Sequence, residues 1–283
     1  MTPLSDWPLE DRRRLIGVFT DIDDTLTTDG AITTEALQAL SDLKAAGLHV
    51  IPITGRPIGW CEPFANGNTA QHSAPWAVDA IVAENGAVAF TANNLCGIGL
   101  QPLSNKRKQL SKIYLQTDAT RALNVTRMQQ VAAQVLREVP EARLSQDSHG
   151  RETDIAIDHS EFAHLPPDKI AQVVAIMQAA GMTATVSSIH INGWFGAHNK
   201  LEGARWIARE LFGRALDAEL SQWAYVGDST NDKVMFAHFQ HSIGVANIRR
   251  FAAELTHAPR YITAAERGTG FAEVAQAILT ARA

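Results

Sequence analysis

The chain has 283 residues, enough for one large domain or two smaller ones with a sizeable core. Hydrophobic residues make up 46 % and charged residues 19 %, and the formal net charge is -5. That balance suits a globular protein and excludes a broad basic surface for nucleic acid, while a local site can still attract small anions.

The opening segment "MTPLSDWPLEDRRR" is charged and has no apolar stretch of a signal peptide. No apolar run approaches the ~18–20 residues of a membrane span. The expectation is a soluble, cytoplasmic protein without a membrane partner. The two cysteines, Cys61 and Cys96, make no disulfide framework and fit a reducing compartment.

"RLIGVFT" (14–20) is a short apolar run that reads as a buried strand and ends in acids. In 33–47, Ala36, Leu37, Leu40 and Leu43 recur at helical spacing, with Gly47 as the stop. "LHVIPIT" (48–54) is a second buried strand, followed by "GRP" and a helix. "VDAIVA" (78–83) is a third strand and ends at "ENGA". This alternation predicts a parallel sheet with helices on its faces.

The middle of the chain differs. Residues 124–139 are a strong helix, "ETDIAID" (152–158) alternates as a half-buried strand, and 166–181 is a helix with proline at its start and glycine after its end. "TATVSSIHINGWF" (183–195) reads as two strands or one bent strand. Grouped strands predict an α+β module. The first pattern then returns: a helix over 199–213, the strand "WAYVG", a loop and helix over 228–238, strands in "HSIGVA" and "PRYIT", and a helix over 270–282. The reading is α/β, with residues 1–86 and 195–283 forming one discontinuous core and 87–194 an inserted α+β domain.

Strand ends concentrate the chemistry. Asp21 and Asp23 follow the first strand two positions apart, so their side chains lean to one side. Ligands of open parallel sheets bind at the carboxyl ends of strands. Paired carboxylates there suit a hard cation such as Mg2+, and an aspartate can attack phosphorus. A solvated acidic turn is the alternative, and it is the reading for Asp24 and for Asp29 with Gly30. Thr54, in "TGR", ends the second strand; its hydroxyl can donate to a phosphoryl oxygen, and Gly55 lets backbone N–H groups approach. "GDSTND" (227–232) puts Asp228, Asn231 and Asp232 at another strand end, as oxygen ligands, as a helix cap, or as both. Lys200 opens the helix "NKLEGARW"; its ammonium can balance clustered carboxylates, or it is a solvated charge.

In this order, "DIDDT", "TGR", a lysine before a helix and "GDSTND" resemble the haloacid dehalogenase-like superfamily of phosphatases. The insert between "TGR" and Lys200 resembles the subclass with a large α/β cap, which includes Cof-like sugar-phosphate phosphatases, sucrose-phosphate phosphatase and mannosyl-3-phosphoglycerate phosphatase. The resemblance implies a Rossmann-like doubly wound core, a mobile cap and Mg2+ as cofactor. It makes Asp21 the nucleophile and Asp23 the general acid and then base. Asp21, Asp228, the backbone carbonyl of Asp23 and, directly or through water, Asp232 would hold the metal. Thr54 and Lys200 would hold phosphoryl oxygens, with Thr25, Gly55, Arg56 and Asn231 around them.

The insert is then expected to read the leaving group. Candidates are Arg151, Glu152, Asp154, His190, Asn192 and Trp194, with Arg151 pairing a carboxylate or second phosphate and Asn192 bonding sugar hydroxyls. Outward polar residues of a half-buried strand are the competing reading for the polar ones, and a domain-interface hydrophobe is that for Trp194. The expected partner is a small phosphorylated molecule, acted on by a monomer or small homo-oligomer. A sugar-phosphate mutase and a non-catalytic sugar-phosphate-binding protein are the alternative functions.

Overall fold

The computed structural model describes residues 1–67, 74–91, 111–187 and 189–282; Cys96 lies outside them. The strands in chain order are β1 (Thr2–Pro3), β2 (Gly17–Thr20), β3 (Thr27–Thr28), β4 (Ala31–Ile32), β5 (His49–Pro52), β6 (Ala80–Ala83), β7 (Val88–Thr91) and β8 (Ser111–Tyr114). They continue with β9 (Arg143–Leu144), β10 (Ile155–Asp158), β11 (Thr183–Val186), β12 (His190–Trp194), β13 (Trp223–Gly227), β14 (His241–Gly244) and β15 (Tyr261–Ile262). The helices are α1 (Leu9–Arg13), α2 (Thr34–Ala45), α3 (Ile58–Asn66), α4 (Asp118–Glu138), α5 (Pro167–Ala179), α6 (Lys200–Phe212), α7 (Lys233–His238) and α8 (Arg267–Arg282).

The large sheet runs β1-β15-β14-β13-β2-β5, and every pairing in it is parallel. A parallel bridge between Ile53 and Val82 carries it on to β6, after which β7 and β8 add antiparallel. Its strands are apolar on both faces because both faces are covered. Val18, Val50 and Val226 meet α2, α3 and α8 through Leu40, Leu43, Ile58, Phe271 and Ile278. Phe19, Ile51 and Tyr225, one position along, meet α6 and α7 through Ala204, Ile207, Met235 and Phe236. Val88 and Phe90 of β7 belong to the first of these clusters, so this strand packs with the large sheet.

In α2, Ala36, Leu40 and Leu43 are buried as expected, but Leu37 is 38 % exposed and Ala39 takes the core position. The buried stripe at 36, 39, 40 and 43 follows the 3.6-residue period, which carries position 37 to its rim.

The second group of strands forms an antiparallel sheet in the order β11-β12-β10-β9. "TATVSSIHINGWF" thus supplies two strands. Helices α4 and α5 cover one face of this sheet, where Met128, Val131, Val135, Val173 and Met177 pack on Ile157 and Ile191. Alternation along β12 sends His190 and Asn192 to the opposite face. No helix among the described residues is long and apolar enough to cross a membrane.

Candidate active site

Three neighbouring parallel strands, β13, β2 and β5, end side by side and deliver Asp228, Asp21 and Thr54. The ladder continues past the strands: Asp21 N–H donates to the Val226 carbonyl at 2.8 Å, Ile53 N–H to Thr20 and Thr54 N–H to Val82. The carboxyl edge is therefore fixed by backbone bonds before any side chain is placed. Lys200 arrives from α6, whose N-terminus is capped by Asn199 Oδ1 accepting from the N–H groups of Leu201 and Glu202.

Lys200 Nζ donates to Asp21 Oδ1 at 2.5 Å and to Asp232 Oδ1 at 2.7 Å, and all three side chains are almost fully buried. Tyr225 Oη donates to the same Asp232 oxygen at 2.5 Å, and the N–H groups of Asp228 and Ser229 donate to Oδ2. A carboxylate offers about four lone pairs, and Asp232 uses that capacity inside the protein. Asp228 Oδ2 accepts from Asn247 Nδ2, which also donates to the Asp24 carbonyl.

Carboxylate oxygens of Asp21, Asp228 and Asp232 lie within 4.8 Å of one another. Burial, reinforced by Asp232 and Asp23 and opposed by Lys200, raises the Asp21 pKa from its ordinary 3.8 to about 7. Burial together with Asp21 and Asp232 holds Asp228 well above the usual carboxylate range. Burial works against the Lys200 charge, but Asp21 and Asp232 more than offset it and raise the pKa of the ammonium. Three buried carboxylates against one ammonium leave excess negative charge. An all-oxygen donor set with that excess fits a hard divalent cation such as Mg2+.

Asp23 faces the other side of the cleft. Its carboxylate accepts from Arg56 Nε at 3.0 Å and from the Thr54 hydroxyl at 3.4 Å. The same guanidinium pairs with Asp147 and Glu161 of the middle segment and lies over the Trp60 ring. Burial disfavours this cation, yet Asp23 and Glu161 raise its pKa, so Arg56 stays charged. Glu161 also bonds His190 Nε2 at 2.8 Å, and burial with the nearby Arg151 lowers the His190 pKa.

The cleft is lined from the large sheet by Asp21, Asp23, Thr54, Gly55, Arg56 and Asp228, with Asn85, Ser229 and Asn231 beside them. Opposite them stand Thr185, Ser187, Ile189, His190 and Asn192. Lys200 and Asp232 sit beneath Asp21, and Thr25 is buried with its hydroxyl on Asp21 Oδ2. Asp24 and Asp29 both have positive φ and both pair with Arg267, as turn residues do.

Arg151 does not reach the cleft. Its guanidinium grips both oxygens of Asp154, pairs with Asp147 and donates to the Gly55 carbonyl, so no donor face is left for a substrate anion. Asp154 is occupied by Arg151 and Asn192, and Glu152 by Lys112 and Tyr114. Trp194 is buried with its indole N–H on the His198 carbonyl. Of the polar residues expected to read a leaving group, His190 and Asn192 are at the cleft.

Asn85, Ser229, Thr185, Ser187 and Glu161 are additions that sequence reasoning passed over. The strand-end rule that singled out Asp21 and Thr54 applies equally to Asn85, which follows β6. Tyr225 carries no such signal, because a tyrosine in "WAYVG" reads as core.

Residues 18–274 match the family described as haloacid dehalogenase-like hydrolase. A comparison with curated proteins finds no match. Among solved structures, the chain is similar to Thermoplasma acidophilum 0175, at 15 % identity and a TM-score of 0.66, over 94 % of this chain and 98 % of that one. It is similar to the sucrose-phosphatase of Synechocystis sp., solved with sucrose and phosphate, at 15 % identity and a TM-score of 0.61, over 94 % and 98 %. A haloacid dehalogenase-like hydrolase from Bacteroides thetaiotaomicron aligns at 14 % identity and a TM-score of 0.63, over 93 % and 99 %. At these identities the likeness speaks to the fold.

Proposed function

Because the chain belongs to the haloacid dehalogenase-like hydrolases, we propose that it is a Mg2+-dependent phosphatase that hydrolyses a phosphate monoester of a sugar or sugar-acid through an aspartyl-phosphate intermediate. One observation carries the reading: Asp21, Asp23, Thr54 and Asp228 converge on one cleft at adjacent strand ends, with the Lys200 ammonium bonded to Asp21.

An Asp21 carboxylate oxygen attacks phosphorus, and the phosphorus–oxygen bond to the leaving group breaks. Asp23, two residues on, gives that oxygen a proton, so an alcohol departs. Asp23 then takes a proton from water, whose oxygen attacks phosphorus and releases phosphate with Asp21 restored. Lys200 offsets charge on Asp21 and on the phosphoryl oxygens, and Thr54 donates to one of them. Asp21 and Asp228 would hold Mg2+, with Asp232 fixing Lys200 and the 228–229 backbone; when bound, the cation supplies positive charge that stabilises the transferring group.

The insert expected over 87–194 acts in this reading as the cap over the core, joined to it through Arg56 with Asp147 and Glu161, while its first strands, β7 and β8, extend the large sheet. The Thr185, Ser187, His190 and Asn192 wall offers hydroxyl, imidazole and amide groups, a set suited to a polyhydroxylated leaving group. The sucrose-phosphatase similarity supports the same class.

The test is release of inorganic phosphate from p-nitrophenyl phosphate and a panel of sugar phosphates, with Mg2+ and with a chelator. Turnover is expected with Mg2+ and none in the Asp21→Asn variant; unchanged turnover in that variant would refute the assignment. Conversion of a hexose 1-phosphate to its 6-phosphate without phosphate release would mark a mutase.

A further inference from the structure

We infer that Asn85 is a substrate-binding residue whose side-chain amide Nδ2–H donates to an oxygen of the phosphorylated substrate, an inference that rests on the phosphatase reading. Asn85 is 7 % exposed and lines the cleft, yet its Nδ2 has no hydrogen-bond partner among the described residues. A buried donor without a partner costs free energy, and native structures rarely keep one without a use for it.

The backbone holds this amide in place. Glu84, Asn85 and Gly86 all have positive φ, at 49°, 55° and 104°. Asn85 N–H donates to the Thr54 carbonyl, and Glu84 N–H to the Arg56 carbonyl, so the turn is tied to the "TGR" segment at both residues. The Glu84 carboxylate accepts from the N–H groups of Ile58, Glu152 and Thr153 and from the Thr153 hydroxyl. Gly86 lies against Gly203 of α6: a Cβ added to Gly86 would stand 2.8 Å from the Gly203 Cα. Backbone kept in a sparsely populated region by surrounding contacts is a mark of functional sites. Glycine would meet the φ requirement at position 85 without burying an amide. The amide therefore adds something that the turn itself does not need.

Its surroundings say what. The Asn85 amide lies beside Gly55: a Cβ added there would stand 3.1 Å from Asn85 Oδ1 and 3.4 Å from Nδ2. In the protein without substrate, the other strong donors near the cleft are bonded to protein acids. Lys200 serves Asp21 and Asp232, and Arg56 serves Asp23, Asp147 and Glu161. Thr54 donates its hydroxyl proton to Asp23. Asn85 Nδ2 is a buried donor beside a site full of acceptors but bonded to none of them. An oxygen brought by the substrate completes it.

Asn85→Gly keeps the turn and removes the amide; Asn85→Asp keeps the shape and replaces the donor with an acceptor. For each full-length variant, the measurements are the inhibition constant of inorganic phosphate, its effect on thermal unfolding, and kcat and KM for p-nitrophenyl phosphate and a hexose 6-phosphate. A hydrogen bond to a charged group is worth roughly 10- to 100-fold in binding. If the acceptor is a phosphoryl oxygen, Asn85→Gly raises the phosphate inhibition constant by about that factor, and Asn85→Asp by at least as much. If it is a leaving-group hydroxyl, phosphate binding is unchanged and KM rises for the hexose ester alone, with kcat nearly kept. Phosphate inhibition and both KM values within twofold of wild type, in both variants, would overturn the inference while leaving the phosphatase reading standing. A wild-type chain that hydrolyses neither ester and whose unfolding is unmoved by phosphate overturns that reading, and this inference with it.

Discussion

Asp21→Asn separates catalysis from stability in opposite directions. The Asp21 carboxyl is buried, and its pKa stands at about 7 instead of 3.8. The sign follows from linkage. A group whose folded pKa is raised contributes stability that is fully present below its unfolded pKa and is lost as pH rises through the folded value. In metal-free buffer the wild-type chain therefore loses stability between about pH 4 and pH 8 on account of Asp21. At about 1.4 kcal/mol for each tenfold change in proton affinity, moving from 3.8 to about 7 amounts to about 4 kcal/mol. Asparagine does not titrate, and its Oδ1 can still accept from Lys200 while its amide faces the Thr25 hydroxyl. Asp21→Asn is thus expected to lose hydrolysis and yet be more stable than wild type, by about 2–4 kcal/mol at pH 8 and by little near pH 4. Urea unfolding of both proteins in a chelator, at several pH values, reads the difference directly. Glu84, also pushed up to about 7 by burial and by Asp154, titrates in both proteins and cancels. A variant less stable than wild type at pH 8, or a difference that does not change with pH, would refute the account of the acid cluster.

Three other outcomes are expected. Gly203→Ala would bring a Cβ to 2.4 Å from the Gly86 Cα, pushing the first turns of α6 and Lys200 off the 84–86 turn; a stability loss of about 1–3 kcal/mol with lower kcat is expected, and calorimetry with a p-nitrophenyl phosphate assay checks both. Glu84→Ala leaves the Ile58, Glu152 and Thr153 donors unanswered in a buried site and should cost about 3–5 kcal/mol in denaturant unfolding. A chelator should abolish turnover and Mg2+ restore it; in Asp228→Asn the Mg2+ concentration for half-activation should rise by about tenfold or more, the usual scale for disturbing a metal site.

What was legible in the sequence and what was not divide along a physical line. Asp21, Thr54 and Asp228 could be read because each directly follows an apolar run, and parallel pairing brings the carboxyl ends of neighbouring strands together whatever lies between them. Even Lys200, 179 positions from Asp21, was accessible, since it sits at a helix start with a cluster of acids to balance. The fates of Arg56 and Arg151 were not. A guanidinium has several partners to choose from, and nothing local says whether it meets substrate or protein. Arg56 meets Asp147 and Glu161, 91 and 105 positions away, and Arg151 is taken up by Asp147, Asp154 and the Gly55 carbonyl. Periodicity reports which way a residue faces, and only tertiary structure reports which charge it finds there. The same limit hid Asn85: "ENGA" marks a turn, but only in the folded chain is its Nδ2 seen buried at the cleft without a partner among the described residues. A donor without a partner is invisible until its neighbours have been placed, which is why the motifs did not name Asn85.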